Sequence, residues 1–526
     1  MIITSDSPDV VVPDVTITDY VLRHHERLGA KPALIDGPSG RTLTYGELAG
    51  AVQRVAGSLA ARGFGKGDVM GIYCPNMPEY AVVFFAVATL GGINTTANPL
   101  YTADELAKQL NDSGARSLVT VGPFLDKALE AASKSSVNEV FCIGAGEGAI
   151  PFAALMEDNG PPPSVEINPR EDLVVLPYSS GTTGLPKGVM LTHYNLVANL
   201  CQCEGMEGFS GFQEDDVVMG VLPFFHIYGM VVIKALCLAQ GGTVVTMPRF
   251  DLEEFLGLMD KHKVTLGPLV PPIVLALAKH PIVDNFDLSH LRLVFSGAAP
   301  LSESLAEEAS QRLNCPVIQG YGMTEASPVT HLTPHDQGTS KAGAIGKIVP
   351  NSQCKIVDVD TGDELNVGEE GELWIAGPQI MKGYLNRPEE TADCLDADGW
   401  YHTGDIGKVD EAGYFYIVDR VKELIKYKGM QVAPAELEGL LLTHESVADA
   451  AVIPSPDDEA GELPKAFVVL KPDQSVSEAD LMSFIAGQVA PHKRIRLLDF
   501  VSEIPKSASG KILRRNLVEQ ERAKAG

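Results

Sequence analysis

The sequence predicts an α/β fold, and three features of the chain indicate it. Helical and strand-like segments alternate between residues 45 and 125, which is typical of a parallel sheet covered by helices. The alternation resumes after a proline-rich linker, Gly160 to Pro163, and continues to about residue 326. At 526 residues the chain is too long for one ordinary core, so we expect more than one domain.

The individual elements follow from the spacing of apolar residues. Apolar residues at helical spacing predict helices, and short apolar runs bounded by turn residues predict strands. In the first part of the chain the predicted helices are 47–62, 78–90, 103–112 and 303–313, and the predicted strands are 69–74, 173–177 and 291–295.

The pattern changes at Gly343. Short strands at 355–359 and 373–376 are separated by the turn sequence Asp360-Thr-Gly-Asp363, which predicts a small β-barrel subdomain over about 343–420. After Arg420 the chain is long enough for a separate α+β domain, 421–526. In it we expect helices at 435–443 and 478–489 and strands at 448–453 and 466–470. The large N-terminal domain is then 1–420.

The composition limits the partners of the chain. The formal net charge is −28, which argues against non-specific nucleic-acid binding, because that requires a basic surface. An anionic substrate would then need a locally basic site. Cations that could supply one crowd the end of the chain: Lys493, Arg494, Arg496, Lys506, Arg514 and Arg515.

Targeting and redox signals are sparse. The longest apolar run is far shorter than the roughly 20 residues of a membrane span. Met1 to Val15 carries aspartates and no basic signal-peptide region. The eight cysteines show no metal or disulfide spacing, so we expect reduced thiols. We therefore expect a cytoplasmic protein with no membrane span, as a monomer or homodimer.

A donor-rich loop, Tyr178 to Gly188, directly follows the predicted strand 173–177. Its glycines allow a polyphosphate to approach the backbone, and its hydroxyls and lysine supply donors. It is not a kinase-type P-loop, which needs G-x4-G-K-[ST]. Counted from Gly181, the second glycine position holds Pro186, and Gly188 stands where the magnesium-binding hydroxyl should be. The loop alone therefore predicts only polyphosphate binding.

Five further motifs follow this loop along the chain, and with it they span residues 178–514. They are Ser296-Gly-Ala-Ala-Pro-Leu301, Gln319-Gly-Tyr-Gly-Met-Thr-Glu325, Gly399-Trp-Tyr-His-Thr-Gly-Asp405, Val418-Asp-Arg-Val-Lys-Glu-Leu-Ile-Lys-Tyr-Lys-Gly429 and Pro505-Lys-Ser-Ala-Ser-Gly-Lys-Ile-Leu-Arg514. Together they resemble the signatures of adenylate-forming enzymes, which include acyl-CoA synthetases, luciferases and peptide-synthetase adenylation domains. Within that superfamily the chain is most similar to 4-coumarate:CoA ligases and related bacterial acyl-CoA ligases.

The resemblance implies an enzyme that uses ATP, Mg²⁺ and coenzyme A to activate a carboxylic acid. The acid first becomes an acyl-adenylate, with release of pyrophosphate, and the coenzyme A thiol then displaces AMP. By resemblance, Glu325 binds Mg²⁺, Asp405 the ribose, and Lys511 the charge that develops on the reacting phosphate. The expected ATP and AMP contacts are Ser179, Ser180, Gly181, Thr182, Thr183, Gly184, Lys187, Gln319, Gly320, Tyr321, Gly322, Met323, Thr324, Asp405 and Arg420.

The second half-reaction implies a mobile C-terminal lid. By resemblance, Lys422 is the hinge about which 421–526 rotates, so that Lys511 leaves the site. Lys426 and Gln431 would then lie near the acyl-adenylate. Lys428, Gly429 and Arg249 would contact coenzyme A. We also expect Lys511 to stand exposed in its Ser-Gly-Lys loop, where acetylation would remove its charge.

The acid pocket is also implied by resemblance. Its lining residues would be His226, Tyr228, Phe295, Ala298, Gly320 and Leu332. The small residues at 298 and 320 predict room for a flat aryl ring or a slender alkyl chain. Plant coumarate ligases usually carry methionine near position 295, so Phe295 is a departure. Phenylpropenoic acids and medium or long fatty acids both remain open as substrates.

Three alternative functions share these motifs. A luciferase-like oxygenase would oxidise its adenylate with O₂. A stand-alone adenylating enzyme would load a carrier protein, although no carrier domain is attached. A non-catalytic nucleotide-binding protein is disfavoured by the intact set of Lys511, Glu325 and Asp405. His193, which follows the phosphate loop, is interpreted as structural.

Overall fold

The computed structural model describes residues 1–157, 159–179, 186–335, 341, 343–421, 423–428, 430–457, 460–507 and 510–525, without the side chains of 431 and 522–525. Within these residues the strands form four sheets. Helices fill most of the connections between parallel strands, as the predicted α/β class requires. The α-helices are Ile17–Val21, Tyr45–Ala61, Pro78–Thr89, Ala103–Ser113, Leu125–Ser133, His193–Glu204, Cys237–Ala239, Leu252–Lys261, Pro271–Lys279, Glu303–Leu313, Pro388–Ala392, Pro434–Leu442, Glu478–Ala486 and Arg514–Ala525.

Two largely parallel sheets build the first part of the chain. The first has the order Lys187–Gly188, Leu173–Ser179, Ile93–Thr96, Val69–Tyr73, Ala115–Val121, Glu139–Ile143 and Ile150–Pro151, with Leu191–Thr192 also paired to Leu173–Ser179. The second has the order Lys347–Ile348, Val329–Leu332, Val317–Gly322, Leu293–Ser296, Leu266–Leu269, Val217–Gly220, Thr243–Thr246, Pro32–Asp36 and Thr42–Thr44. Antiparallel pairs occur at both ends of the second sheet and at one end of the first, whereas the other end of the first sheet, Glu139–Ile143 with Ile150–Pro151, is parallel.

A third sheet is antiparallel throughout and lies where the sequence predicts a β subdomain. Its order is Ile2–Thr4, Gln353–Val357, Gly371–Ala376, Tyr401–Val409 and Phe415–Arg420. The first of these strands comes from the N-terminus, which the predicted boundary of about 343–420 does not include. Three residues contain too short a pattern to reveal a partner more than three hundred residues away.

The last part of the chain carries its own sheet and its own apolar clusters. The strands are Met430–Val432, Ile425–Tyr427, Gly461–Leu470 and Val447–Asp457 in that order, with Leu497–Phe500 paired to Gly461–Leu470. Two hydrophobic clusters in this region contain no buried residue from before Ile425. This separation supports the predicted domain 421–526, whose boundary stays a prediction.

Reciprocal capping boxes begin two of the predicted helices, the first of which starts two residues before the predicted residue 47. Thr44 and Glu47 form a reciprocal capping box at the start of Tyr45–Ala61, and Thr102 and Glu105 do the same for Ala103–Ser113. The predicted helix 303–313 forms with the same bounds. The predicted helix 478–489 ends early, at Ala486. No helix of the described residues is long and apolar enough to cross a membrane.

A nine-residue π-helix, Tyr228–Leu236, was not predicted, because its apolar run does not differ from that of a buried strand or α-helix. It carries Lys234, whose side chain is fully buried. The Lys234 ammonium nitrogen lies 3.6 Å from the centre of the Phe84 ring and has no hydrogen-bond partner among the described residues. Burial lowers the pKa of Lys234 well below its usual value, which favours the neutral amine in the folded state.

Lys234 should lower the free energy of unfolding, because protonation of this lysine stabilises the unfolded chain at any pH below about 10.4. Replacing it by methionine, Lys234→Met, should raise the free energy of unfolding by about 1–3 kcal/mol at pH 7. The gain should shrink as pH rises toward the ordinary lysine value. Urea unfolding at several pH values measures this, and Lys234→Arg, which keeps a charge, should be less stable than the wild type. A methionine variant that is less stable than the wild type would contradict the argument.

Candidate active site

The candidate site centres on the carboxylate of Asp405. Tyr321 donates its phenolic hydrogen bond to Asp405 Oδ2 at 2.5 Å, and Arg420 Nε lies 2.9 Å from Asp405 Oδ1. Asp405 and Arg420 are cross-strand partners in the antiparallel sheet, whereas Tyr321 comes from the large parallel sheet. Two predicted motifs, 84 residues apart, are thereby joined through one side chain.

Further contacts orient this carboxylate. The backbone N–H of Asp405 donates to Thr403 Oγ1 at 3.0 Å, and that of Gly404 donates to Glu372 Oε1 at 2.8 Å. The other carboxylate oxygen of Glu372 accepts from Trp374 Nε1 at 2.9 Å. Sequence reasoning missed Glu372, because a glutamate in an alternating strand has the pattern of an ordinary exposed position.

The carboxylate of Glu325 lies at the base of the predicted phosphate loop. Its Oε1 accepts hydrogen bonds from Ser179 Oγ at 3.1 Å and from Tyr384 Oη at 2.8 Å. Ser179 pairs in register with Lys187 across the loop, and the Lys187 ammonium lies 4.8 Å from the centre of the Tyr384 ring. The loop residues between them that were predicted to hold phosphate lie outside the described residues: Ser180, Gly181, Thr182, Thr183 and Gly184.

Among the described residues, no group of three or more histidine, cysteine, aspartate or glutamate side chains could hold a metal ion by itself. Glu325 is nevertheless suited to Mg²⁺, which binds proteins through one or two carboxylates and completes its shell with substrate phosphates and water. The loop that would bind those phosphates begins at Ser179, which hydrogen-bonds to Glu325. The donor set therefore fits a shared magnesium site, with Tyr384 as a supporting contact that the sequence did not reveal.

The motif that begins at Gln319 is built by close backbone approach. Gln319 Oε1 accepts from the N–H of Leu301 at 2.8 Å, which fixes the preceding motif, 296–301, beside it. A Cβ on Gly322 would come within 2.2 Å of the Pro328 carbonyl oxygen, so only glycine fits there. Met323 and Thr324 follow as partly exposed residues at the edge of the site.

The ammonium of Lys511 lies within the electrostatic influence of Arg420 and Asp405. Burial, together with the charge of Arg420, lowers the pKa of Lys511 to about 8. Its loop packs on the first part of the chain, since a Cβ on Gly510 would lie 3.4 Å from Pro272. The loop is closed by the Ser507 N–H, which donates to the Lys511 carbonyl at 2.8 Å. The expectation that Lys511 stands exposed is wrong for this arrangement, because it is half-buried against the site.

His226 is close enough to Lys511 for the two to interact electrostatically. Burial, and secondarily the Lys511 charge, lowers the pKa of His226 to about 4, so its ring is neutral near pH 7. The N–H of Tyr228 donates to His226 Nδ1 at 3.3 Å. The ring proton therefore belongs on Nε2, which can donate to an acid oxygen. By contrast, His193 is buried and accepts from the Ile17 N–H at 3.2 Å, which agrees with the structural interpretation.

An ionic cluster ties the start of the last domain to the Lys511 segment. Arg514 contacts Glu423 at 2.5 Å and Glu438 at 2.6 Å. Asp419 Oδ2 accepts from the Ala435 N–H at 2.9 Å, across the predicted hinge. Burial raises the pKa of Glu438 to about 7, although Arg514 opposes that shift. Lys422, the predicted hinge residue, lies outside the described residues.

Several of the cations expected to form a basic surface are already paired with carboxylates. Lys493 lies 2.7 Å from Glu436, and Lys506 lies 2.6 Å from Asp449. Arg514 is paired as described above. A basic run in the sequence therefore overstates the free positive charge of this region, since net local charge depends on partners from distant segments.

The residues predicted to serve the second half-reaction, near the acyl-adenylate or at coenzyme A, are not gathered at Asp405. Lys426 and Lys428 are exposed on the hairpin formed by Ile425–Tyr427 and Met430–Val432, with Lys428 at its turn. Arg249 is exposed after the strand Thr243–Thr246. Gly429 and the side chain of Gln431 lie outside the described residues.

The predicted acid-pocket residues form one cluster, apart from Ala298, which is exposed with a left-handed backbone. Tyr228 Oη donates to the Phe295 carbonyl at 3.0 Å, and Gly320 pairs with Leu332. The expectation that glycine at 320 leaves room for substrate is wrong in this structure. A Cβ on Gly320 would lie 2.3 Å from the tip of the Phe295 ring, so that ring already fills the space.

Comparison with known proteins finds relatives that align with nearly the whole chain. The chain is 45% identical to a 4-coumarate–CoA ligase of Solanum tuberosum over 527 aligned residues, covering 98% of this chain and 96% of the relative. It is 44% identical to a 4-coumarate–CoA ligase of Petroselinum crispum, with the same coverage.

Solved structures agree with these relatives in fold. The anthranilate CoA ligase AuaEII in complex with anthranoyl-AMP has a TM-score of 0.89 at 27% identity, covering 98% of this chain and 99% of that one. ATP-bound MatB from Rhodopseudomonas palustris has a TM-score of 0.85 at 30% identity, covering 96% of this chain and 99% of that one.

The two predicted parts of the chain also match family descriptions in the same order. Residues 22–385 match the AMP-binding enzyme family, and residues 436–511 match its C-terminal domain. The contact between Asp405 and Tyr321 joins the first region to the segment between the two, and Lys511 approaches Asp405 from the second region, whereas the contact between Glu325 and Ser179 lies within the first region. The chain therefore belongs to the AMP-binding enzyme family.

Proposed function

We propose that this protein is an AMP-forming acid:CoA ligase, which adenylates a carboxylic acid and then transfers the acyl group to coenzyme A. The observation that carries the proposal is the convergence of four groups: Arg420 pairs with Asp405, and the charge of Lys511 interacts with both of them and with His226. The relatives named as 4-coumarate–CoA ligases support the same chemistry over nearly the whole chain.

In the first half-reaction each of these groups has one task. Asp405 accepts from the ribose hydroxyls while Tyr321 and Arg420 hold it in place. The protonated Lys511 balances the charge that builds on the α-phosphate and the departing pyrophosphate. The neutral His226 donates from Nε2 to an oxygen of the acid and so orients it. Glu325 would hold Mg²⁺, which neutralises phosphate charge, and Ser179 and Lys187 flank the phosphates.

The second half-reaction needs a different arrangement of the last domain. Lys511 and Gly510 occupy the acid side of the site here, while Lys426 and Lys428 lie exposed. Rotation about Lys422 would withdraw Lys511 and bring in Lys426 and Gln431. Lys428, Gly429 and Arg249 would then bind the phosphates of coenzyme A. A two-lid cycle of this kind lets one pocket serve both steps.

The acid is a 4-coumarate- or cinnamate-type aryl acid or a fatty acid. We further propose a cytoplasmic enzyme, because its eight cysteines are free thiols suited to a reducing compartment. A monomer or homodimer remains the expected assembly. A luciferase-like oxygenase would instead consume O₂ in an ATP-dependent reaction, and a carrier-loading enzyme would acylate a carrier protein rather than free coenzyme A. Assays of O₂ uptake and of acyl-CoA formation separate these functions.

Replacement of Lys511 should separate the two half-reactions. Lys511→Ala should slow acid-dependent ATP–pyrophosphate exchange by about 10²–10³-fold, because one positioned charge at the transition state is lost. Thioester formation from pre-made acyl-adenylate should remain near the wild-type rate. Lys471→Ala, in the same domain and bonded to the Glu445 carbonyl, is the matched control for both assays. Equal loss in the two half-reactions would contradict the assigned role.

The lowered pKa of Lys511 predicts an alkaline limit to adenylation. Exchange measured as kcat/KM for ATP should fall as pH rises through about 8, because the free enzyme loses the ammonium charge. At saturating ATP the limit should move to higher pH, since bound phosphates favour the charged lysine. Lys511→Arg should retain its charge throughout, so any residual activity of that variant should lack this limit. The same pH limit in Lys511→Arg would assign the titration to another group.

Replacement of Lys428 should weaken the binding of coenzyme A without changing adenylation. Lys428→Ala should raise KM for coenzyme A by about tenfold, equivalent to about 1.4 kcal/mol of lost phosphate binding. ATP–pyrophosphate exchange should stay unchanged, because Lys428 lies exposed on a hairpin in the arrangement that brings Lys511 to Asp405. Steady-state thioester formation and exchange, measured with the Lys471→Ala control, test this. A loss of exchange in Lys428→Ala would refute the assignment.

A further inference from the structure

A small apolar cavity lies behind the predicted acid pocket. Its volume is about 10 Å³, roughly the space of one water molecule. Phe295 and Leu332, both predicted to contact the acid, are part of its wall. The rest of the lining comes from the helix His193–Glu204 and the segment after it, from the π-helix, and from three strands of the nine-stranded sheet: Cys203, Phe209, Phe212, Val232, Leu236, Leu266, Leu293 and Val329. Apart from the Cys203 thiol, the described lining is entirely hydrocarbon.

The Phe295 ring separates this cavity from the acid side of the pocket. Its tip rests on Gly320, and it makes edge-to-face contacts with Tyr228 and Phe209, with centroid distances of 6.1 and 6.3 Å. Phe295 is fixed by these rings and not by any polar group. The distal end of a bound acid would therefore meet the Phe295 ring and, if the ring turns, the apolar cavity behind it.

The polar side chains next to this wall lie behind it or on the other face of the sheet. The His335 ring packs edge-on against Phe209, with 5.6 Å between centroids, and its Nε2 lies 3.4 Å from Ser210 Oγ. Ser296 and His331 are strand neighbours of Phe295 and Leu332, and successive side chains of a strand face opposite sides of the sheet. The His331 ring packs on Phe415, with 4.5 Å between centroids. Tyr228 directs its hydroxyl to the Phe295 carbonyl. No described side chain of the cavity wall offers a strong hydrogen bond to a substrate.

We propose that this protein selects acids with a hydrocarbon distal end and discriminates against a hydroxyl there, so that cinnamate and alkanoates are preferred over 4-coumarate. The proposal rests on the ligase function proposed above and names the class of acid for the same site. Burial of a hydroxyl without a hydrogen-bond partner weakens binding by the full free energy of removing it from water. Burial of a phenyl or methyl end strengthens binding, because its transfer out of water is favourable. Hydrophobic pockets reject such a hydroxyl by up to about 100-fold.

Matched acid pairs test this selectivity in the wild-type enzyme. Acid-dependent ATP–pyrophosphate exchange should give a kcat/KM for cinnamate about 10–100-fold above that for 4-coumarate, and octanoate should exceed 8-hydroxyoctanoate similarly. Equal values, or a preference for the hydroxylated acids, would overturn the proposal while leaving ligase function intact. Absence of exchange with every acid would refute the ligase function, and this proposal with it.

Isosteric variants locate the selectivity in the cavity wall. Val232→Thr and Val329→Thr each place a hydroxyl in that wall at almost constant volume, and at least one should raise the 4-coumarate to cinnamate ratio by about tenfold. Two positions are used because a helical threonine can bond its own backbone instead. Val231→Thr adds a hydroxyl to the same π-helix at a residue that does not line the cavity, and its ratio should match the wild type. Unchanged ratios in both wall variants, with wild-type unfolding midpoints, would contradict the proposal.

Phe295 itself should control the length of the acid. Phe295→Ala joins the cavity to the acid side, so the preferred alkanoate should become longer than in the wild type. Phe295→Leu, which removes less volume and disturbs packing less, should give a smaller change in the same direction. Exchange with alkanoates of increasing length measures the shift. An unchanged length preference in folded variants would exclude Phe295 as the barrier.

Discussion

The Asp405 carboxylate joins three segments of the chain, and the geometry of the site depends on it. Tyr321 reaches it from the large parallel sheet, and Arg420 reaches it from the neighbouring antiparallel strand. A buried carboxylate is tolerated only when it is paired and hydrogen-bonded, and these two contacts supply the pairing and the hydrogen bond. Because Arg420 directly precedes the last domain, the same ion pair fixes the point from which that domain departs.

The pKa of Lys511 is lowered by burial and then adjusted by the charged groups around it. Arg420 and Arg514 disfavour its charge, whereas Glu423 and Asp405 favour it. Arg514 is itself held by Glu423 and Glu438, so it is a structural cation rather than a free one. In a chain of net charge −28, positive potential at the site is therefore local. Phosphate binding would add negative charge where Lys511 and Arg420 repel each other, and it would stabilise both.

Close packing shapes the acid side of the site. Gly320 is needed because the Phe295 ring occupies the volume that a side chain would fill, and Gly322 is needed because the Pro328 carbonyl lies against it. The glycines of this motif thus serve contacts within the protein as well as the approach of a ligand. The size of the acid site is set by aromatic rings packed on one another, which explains why a list of small residues overestimates its open space.

By itself, the sequence determined the α/β class, most helix and strand positions, and the residues suited to ATP chemistry. Those properties depend on local periodicity and on motifs of adjacent residues. Only the tertiary structure decided that Tyr321 binds Asp405 and that Glu372 and Tyr384 support the site. It also decided that Lys511 is half-buried near His226. It placed the Phe295 ring in the space at Gly320. It also showed that cations adjacent in sequence are neutralised by carboxylates from elsewhere. Each of these contacts joins segments distant in the chain, and side-chain periodicity reports which face of an element is buried but not what it is buried against.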